Sequence, residues 1–158
     1  MSVLSFFEAC NNTAVAQAIR DSVWLFPAVE GVHLLALAVL GGTVLVVDLR
    51  LWGLGLTSES PDVLWRDIQP WLIGALAAML TSGALLFASE AIKCYQNPAF
   101  WAKMAFLAPA ILFTFTWKRH TLRFQAGPRS PWRDKVIASI SVLLWLGVGA
   151  GGRAIGFY

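Results

Sequence analysis

The chain predicts an all-α membrane protein, a four-transmembrane-helix bundle with a short N-terminal interfacial helix, and three observations carry that expectation. It is 58% hydrophobic and only 13% charged, about half the charged fraction of an ordinary soluble domain. Four apolar runs, at about residues 23–47, 71–89, 99–117 and 136–152, are each long enough to cross a bilayer together with their flanks. Six of the eight tryptophans, Trp24, Trp52, Trp71, Trp101, Trp117 and Trp132, fall near the ends of those runs, where amphipathic rings settle at the membrane interface.

The elements follow in order. Residues 1–22 lack the basic start and the long apolar stretch of a signal peptide. Val3, Phe6, Phe7, Cys10, Ala14 and Ala18 recur at helical spacing, which predicts one apolar face of an interfacial helix. The four spans come next, and residues 1–158 are expected to form a single membrane domain. Packing candidates are the small residues Gly41, Gly42, Gly74, Ala78, Gly147, Gly149 and Gly151, which let helix backbones approach closely in lipid.

Basic residues set the expected orientation. Lys118, Arg119, Arg123, Arg129, Arg133 and Lys135 follow the third run, and Arg50 and Arg66 follow the first. Arg20, Lys93 and Arg153 lie on the other side. Eight against three predicts an orientation with both termini outside, on the periplasmic side if the membrane is a bacterial inner one. Asp48 and Arg50 should frame the inner end of span one, Arg50 reaching headgroups or the Arg66–Asp67 loop. The net charge of +3 then reflects a topogenic loop, and no nucleic-acid partner is expected.

With that orientation the remaining polar residues converge on the outer half. Glu30 and His33, one helical turn apart in span one, lie roughly 10 and 16 Å below the outer boundary, and Lys103 on span three about 6 to 8 Å. Arg153 closes span four. An ionisable residue inside a span is costly and by default marks a functional site. The inner half is expected to carry no charge. The bland alternative is that Glu30 stitches the bundle to Lys103 or Arg153, that His33 bonds a backbone carbonyl, and that Lys103 snorkels to the headgroups.

Three ligand chemistries fit such a site. His120 falls too far from His33 in depth for a bis-histidine haem, about 17 Å by helical rise. Haem b held by His33 and Met79, with Lys103 and Arg153 on the propionates, is one reading; Met79 as ordinary core filler is its alternative. A quinone hydrogen-bonded by a histidine and a cation is the second. A metal ion, copper above all, bound by His33 and Glu30 is the third, although the neighbouring cations oppose it. Zinc-protease, phosphate-loop and nucleophile-elbow motifs are missing, so no catalytic residue is assigned and no activity is expected from the chain alone. A periplasmic or membrane protein, or a second copy, is the expected partner beside the lipid bilayer. A purely structural accessory subunit of a larger complex remains the alternative role. Cys10 and Cys94 share the outer side and could pair or stay free.

TrpLeuPheProAlaValGluGlyValHisLeu, ValValAspLeuArgLeuTrpGlyLeu, AsnProAlaPheTrpAlaLysMet and GlyGlyArgAlaIleGlyPheTyr together resemble a family of small bacterial four-span inner-membrane proteins catalogued as a domain of unknown function. The resemblance covers most of the chain and implies this topology. It lends emphasis to Glu30, His33, Asp48, Arg50, Lys103 and Arg153, and it implies no activity. Thr114–His120 departs from the pattern, so a ligand from that stretch gains nothing by it. In outline the layout is also similar to the membrane parts of copper-resistance proteins and small b-type cytochromes, a likeness of fold alone.

Overall fold

The computed structural model describes residues 2–56, 58–124 and 130–157, with the side chains of 123 and 124 left aside. Its described residues form helices and short connections only. Four helices are long and apolar enough to span a membrane: Leu25–Trp52, Pro61–Ser89, Pro98–Leu122 and Pro131–Phe157. The chain is thus a multi-pass membrane protein.

The helices run past the apolar stretches, mostly at the end where 53–60 and 123–130 connect them, called here the loop end. The other, terminal, end carries both chain termini. α3 (Leu25–Trp52) stops where Gly53 takes a left-handed φ of 80°, which glycine reaches without a Cβ penalty. α4 (Pro61–Ser89) and α8 (Pro131–Ala154) each begin with proline in the first turn, where the missing N–H costs nothing. α6 (Pro98–Phe113) starts the same way, and the Asn97 side chain caps it by accepting from Ala99 N at 2.9 Å.

Two short helices, α1 (Val3–Asn11) and α2 (Ala14–Asp21), replace the single interfacial helix. Thr13 ends one register and caps the next, its hydroxyl accepting from Ala16 N. The break rotates the second half, so α2 buries Ala16 and Ile19 in place of Ala14 and Ala18, while Val3 and Phe6 of α1 stay exposed. Phe7 is the anchor. Its ring meets Phe87, Tyr95 and Trp101 at centroid distances of 5.2, 5.2 and 5.9 Å, and this aromatic plug closes the terminal end beside α5 (Ala91–Gln96). Arg20 ties the segment down by donating to Ser89 O at 3.0 Å and Asn11 Oδ1 at 2.9 Å.

In the bundle α3 lies against α4 and α8, and α8 against α6. The main apolar core runs along α3 through Ala36, Leu40, Val44, Val47 and Leu51, joined by Trp65, Leu72, Leu76 and Met79 of α4 and by Ile137 and Ala138 of α8. Trp24, Trp71, Trp117 and Trp132 are exposed, as interfacial rings are, whereas Trp65 is wholly buried.

The third span is not a plain α-helix. Thr114–Lys118 forms a π turn before α7 (Arg119–Phe124) resumes. In a regular α-helix eight residues rotate by about 80° beyond two turns. A π turn holds about 4.4 residues, which cancels most of that drift. Ala110, Thr114, Lys118 and Leu122 accordingly all turn inward and are buried.

Candidate functional site

The outer-half expectation resolves into a pair. His33 is half-buried on α3, with Nδ1 3.0 Å from Ser82 Oγ on α4. Ser82 spends its own proton on Ala78 O at 2.6 Å, as mid-helix serines do. Its oxygen is therefore able to accept, and the Met79 carbonyl is a second acceptor for the imidazole, the kind of backbone bond the bland alternative expected. The His33 proton is assigned to Nδ1, facing Ser82, which leaves Nε2 with a lone pair. Gly83 makes this possible. A Cβ there would stand 3.1 Å from His33 Cε1, so even alanine would make the ring give by a few tenths of an ångström.

Lys103 on α6 and Glu30 on α3 both lie within electrostatic reach of that imidazole. Lys103 is half-buried because α8 offers no side chain opposite it. A Cβ on Gly151 would meet the Lys103 backbone at 3.1 Å, and one on Gly152 would lie 3.7 Å from Nζ. These glycines, with Gly147 under the Phe106 ring, make close approaches, whereas a Cβ on Gly41, Gly42 or Gly149 would meet nothing within 4 Å. Gly151→Leu should therefore destabilise the protein by about 1–3 kcal/mol through overpacking, while Gly149→Leu leaves thermal unfolding in detergent nearly unchanged. Equal losses in the two variants would contradict this packing.

The other expected members stand apart. Glu30 and Arg153 are exposed, and among the described residues neither forms an ion pair with Lys103 or with the other. Arg153 instead lies over the Phe157 ring, 4.4 Å from its centroid. Met79 is 3% exposed within the main apolar cluster, the surroundings of core filler. Among the described residues no three His, Cys, Asp or Glu side chains converge. Cys10 and Cys94 are free thiols packed against the Phe7 cluster. Burial pushes the Cys94 thiol above its ordinary range, and the Glu90 carboxylate adds to the effect.

The expectation of an uncharged inner half is overturned. Asp48 and Lys118 form an ion pair, Nζ to Oδ1 2.7 Å, with both side chains wholly buried. Ser141 of α8 accepts from Lys118 Nζ at 3.2 Å. Trp145 Nε1 donates to Thr114 Oγ1 at 3.2 Å, tying the π turn to α8. Asp48 thus does not frame the surface. Arg50 does, its Nε donating to Glu59 O at 2.6 Å. Lys118 also leaves the basic loop, which reduces the asymmetry to seven against three; of those seven, Arg129 and the Arg123 side chain lie outside the described residues.

Four apolar helices with a seated histidine beside a half-buried lysine at one end, and a buried ion pair at the other, define a small multi-pass membrane protein with polar groups inside its bundle. The chain belongs to the Family of unknown function (DUF6644), whose model matches residues 18–158, all four long helices but not α1. No curated protein and no solved structure matches the chain.

Proposed function

We propose that the protein is a membrane subunit of a redox system, without activity of its own, that binds a quinone at the terminal end of the bundle. The observation that carries this reading is the seated imidazole. With Nδ1–H held on Ser82, His33 Nε2 is the acceptor left for a ligand, and Lys103, within electrostatic reach of the ring, is a donor. Such a pair matches the hydroquinone form of the ligand, one hydroxyl donating to Nε2 and the oxygen of the other accepting from Lys103. Lys103 has no ion-pair partner among the described residues, so its donors are available to a carbonyl oxygen.

Haem b is the second reading, favoured by the same tautomer, because a ligating histidine donates its other N–H to a fixed partner. It asks more of the fold, since Met79 would have to leave the apolar cluster. Copper on His33 and Glu30 has less support, with two donors and a cation nearby. A visible spectrum of the purified protein separates the first two. A Soret band that shifts on reduction and disappears in His33→Leu would replace quinone by haem, and a featureless spectrum is the expected result.

The basic asymmetry supports a loop end in the cytoplasm and termini in the periplasm, and the resemblance supports a bacterial inner membrane. The partner is then a periplasmic or membrane electron carrier, or a second copy. In a background carrying Cys10→Ser and Cys94→Ser, Ser130→Cys should be labelled only from the cytoplasm and Lys93→Cys only from the periplasm. Lys93 suits this test because its side chain is 81% exposed. The reverse pattern would invert the site's orientation.

A further inference from the structure

The buried pair at the loop end is a second polar site, separate from the quinone reading. Asp48 on α3 and Lys118 at the close of the π turn are wholly buried, and the Ser141 side chain also lies within reach of the carboxylate, yet neither Asp48 oxygen makes a hydrogen bond of good geometry. Trp65 Nε1 of α4, equally buried, has none either. Asp48, Trp65 and Lys118 each stand four residues from the loop end of their spans, so they share one depth. Native proteins rarely leave buried polar atoms unpartnered, and an orphan calls for a water, an ion or a reactive role.

An approach to the carboxylate exists. A cavity of about 410 Å³ opens at the loop end between α3, α4 and α8, lined by Arg50, Leu51, Trp52, Pro61, Asp134 and Lys135. Leu51 is three residues from Asp48, on the same helix face, and 5% exposed. Leu51 thus stands in the cavity wall one helical turn from the carboxylate.

We propose that Asp48 is a proton-binding site loaded from the loop end, with Lys118 as its resting counter-ion. On loading, a hydronium ion in the cavity gives its proton to Oδ2. One O–H bond forms on the carboxylate, one breaks in the hydronium, water is left, and no electron moves. The Lys118 ammonium keeps Ser141 as its acceptor while the Asp48 carboxyl is neutral. Among the described residues, Ser141 of α8 reaches Asp48 beside Lys118, and Arg119 follows Lys118 in the chain. Lys118 comes from the π turn, Asp134 and Lys135 stand on α8 and Arg50 on α3 at the cavity, α4 contributes Trp65, and His120 of α7 is exposed. The π turn suits such a role, because these interruptions recur at functional sites.

Infrared difference spectra of the full chain in sealed vesicles, recorded as one side is acidified, test the proposal. A carboxylic-acid C=O band should rise when the loop end faces the acid and lag when the terminal end does. Asp48→Asn should remove it. Lys118→Met, which takes away the counter-ion, should show it already at neutral pH. Leu51→Phe keeps the pair and narrows the approach, so its band should rise several-fold more slowly. If Asp48→Asn or Lys118→Met does not fold, the one-sided response of the wild type and the Leu51→Phe rate still decide. A pair that only clamps the helices gives no band before the fold is lost. That result, a band unchanged by Asp48→Asn, a band equally fast from both ends, or an unaltered Leu51→Phe rate would overturn the proposal.

Discussion

Asp48→Leu and Lys118→Met, made singly, are each expected to lower stability by about 3–5 kcal/mol: the first strands the Lys118 ammonium in a dry interior, and the second forces Asp48 to take up a proton and leaves its buried carboxyl without its partner. Together they should cost little or even stabilise, since two apolar side chains of similar length remove both charges and both desolvation penalties. The pair joins α3 to the third span, and Ser141 extends the link to α8. Denaturant unfolding in detergent measures all three variants. The expected pattern is strong coupling between the two positions. Additive losses would mean that the charges are solvated and that the tight burial seen here is not retained in the membrane.

The second large effect concerns the seated imidazole. His33→Leu should abolish ligand binding, while stability falls only modestly, because a neutral ring leaves no stranded charge and Ser82 keeps its bond to Ala78 O. Ser82→Ala is the more telling change. It leaves His33 in place but removes one of the ring's two acceptors, leaving the Met79 carbonyl, and loss of such a supporting partner lowers affinity about 10- to 100-fold. Glu30→Gln, at an exposed position without an ion pair among the described residues, should leave stability almost unchanged and affect binding through charge alone.

The two ends of the bundle differed in how far the sequence revealed them. The spans, the exposed tryptophans and the inward-facing His33 were legible, because hydropathy and the rarity of ionisable residues in lipid report directly on them. Lys118 was not. It follows Trp117 and precedes Arg119, so it reads as the first charge of a basic loop, and the regular helical period turns it away from Ala110. Only the π turn points it inward, and the lone charge available to meet it, Asp48, reads as an interfacial residue beside Arg50. Gly83 was equally silent, since a glycine within a long apolar helix has no mark of the ring it admits. At the N-terminus the apolar spacing runs unbroken through Asn12 and Thr13, and the new register followed from capping by Thr13, which outweighed that periodicity. Thr13 was the one available signal, a good N-cap residue.

The central claim, that the seated His33 and the neighbouring Lys103 hold a quinone, is tested most directly by quinone content. Wild type, Ser82→Ala, His33→Leu and Lys103→Met would be purified from native membranes in lipid nanodiscs, and extracted quinone measured against protein. The account predicts near-stoichiometric quinone in the wild type, a reduced amount in Ser82→Ala, and background in His33→Leu and Lys103→Met, all four remaining folded. Quinone in the wild type no higher than in His33→Leu would contradict it.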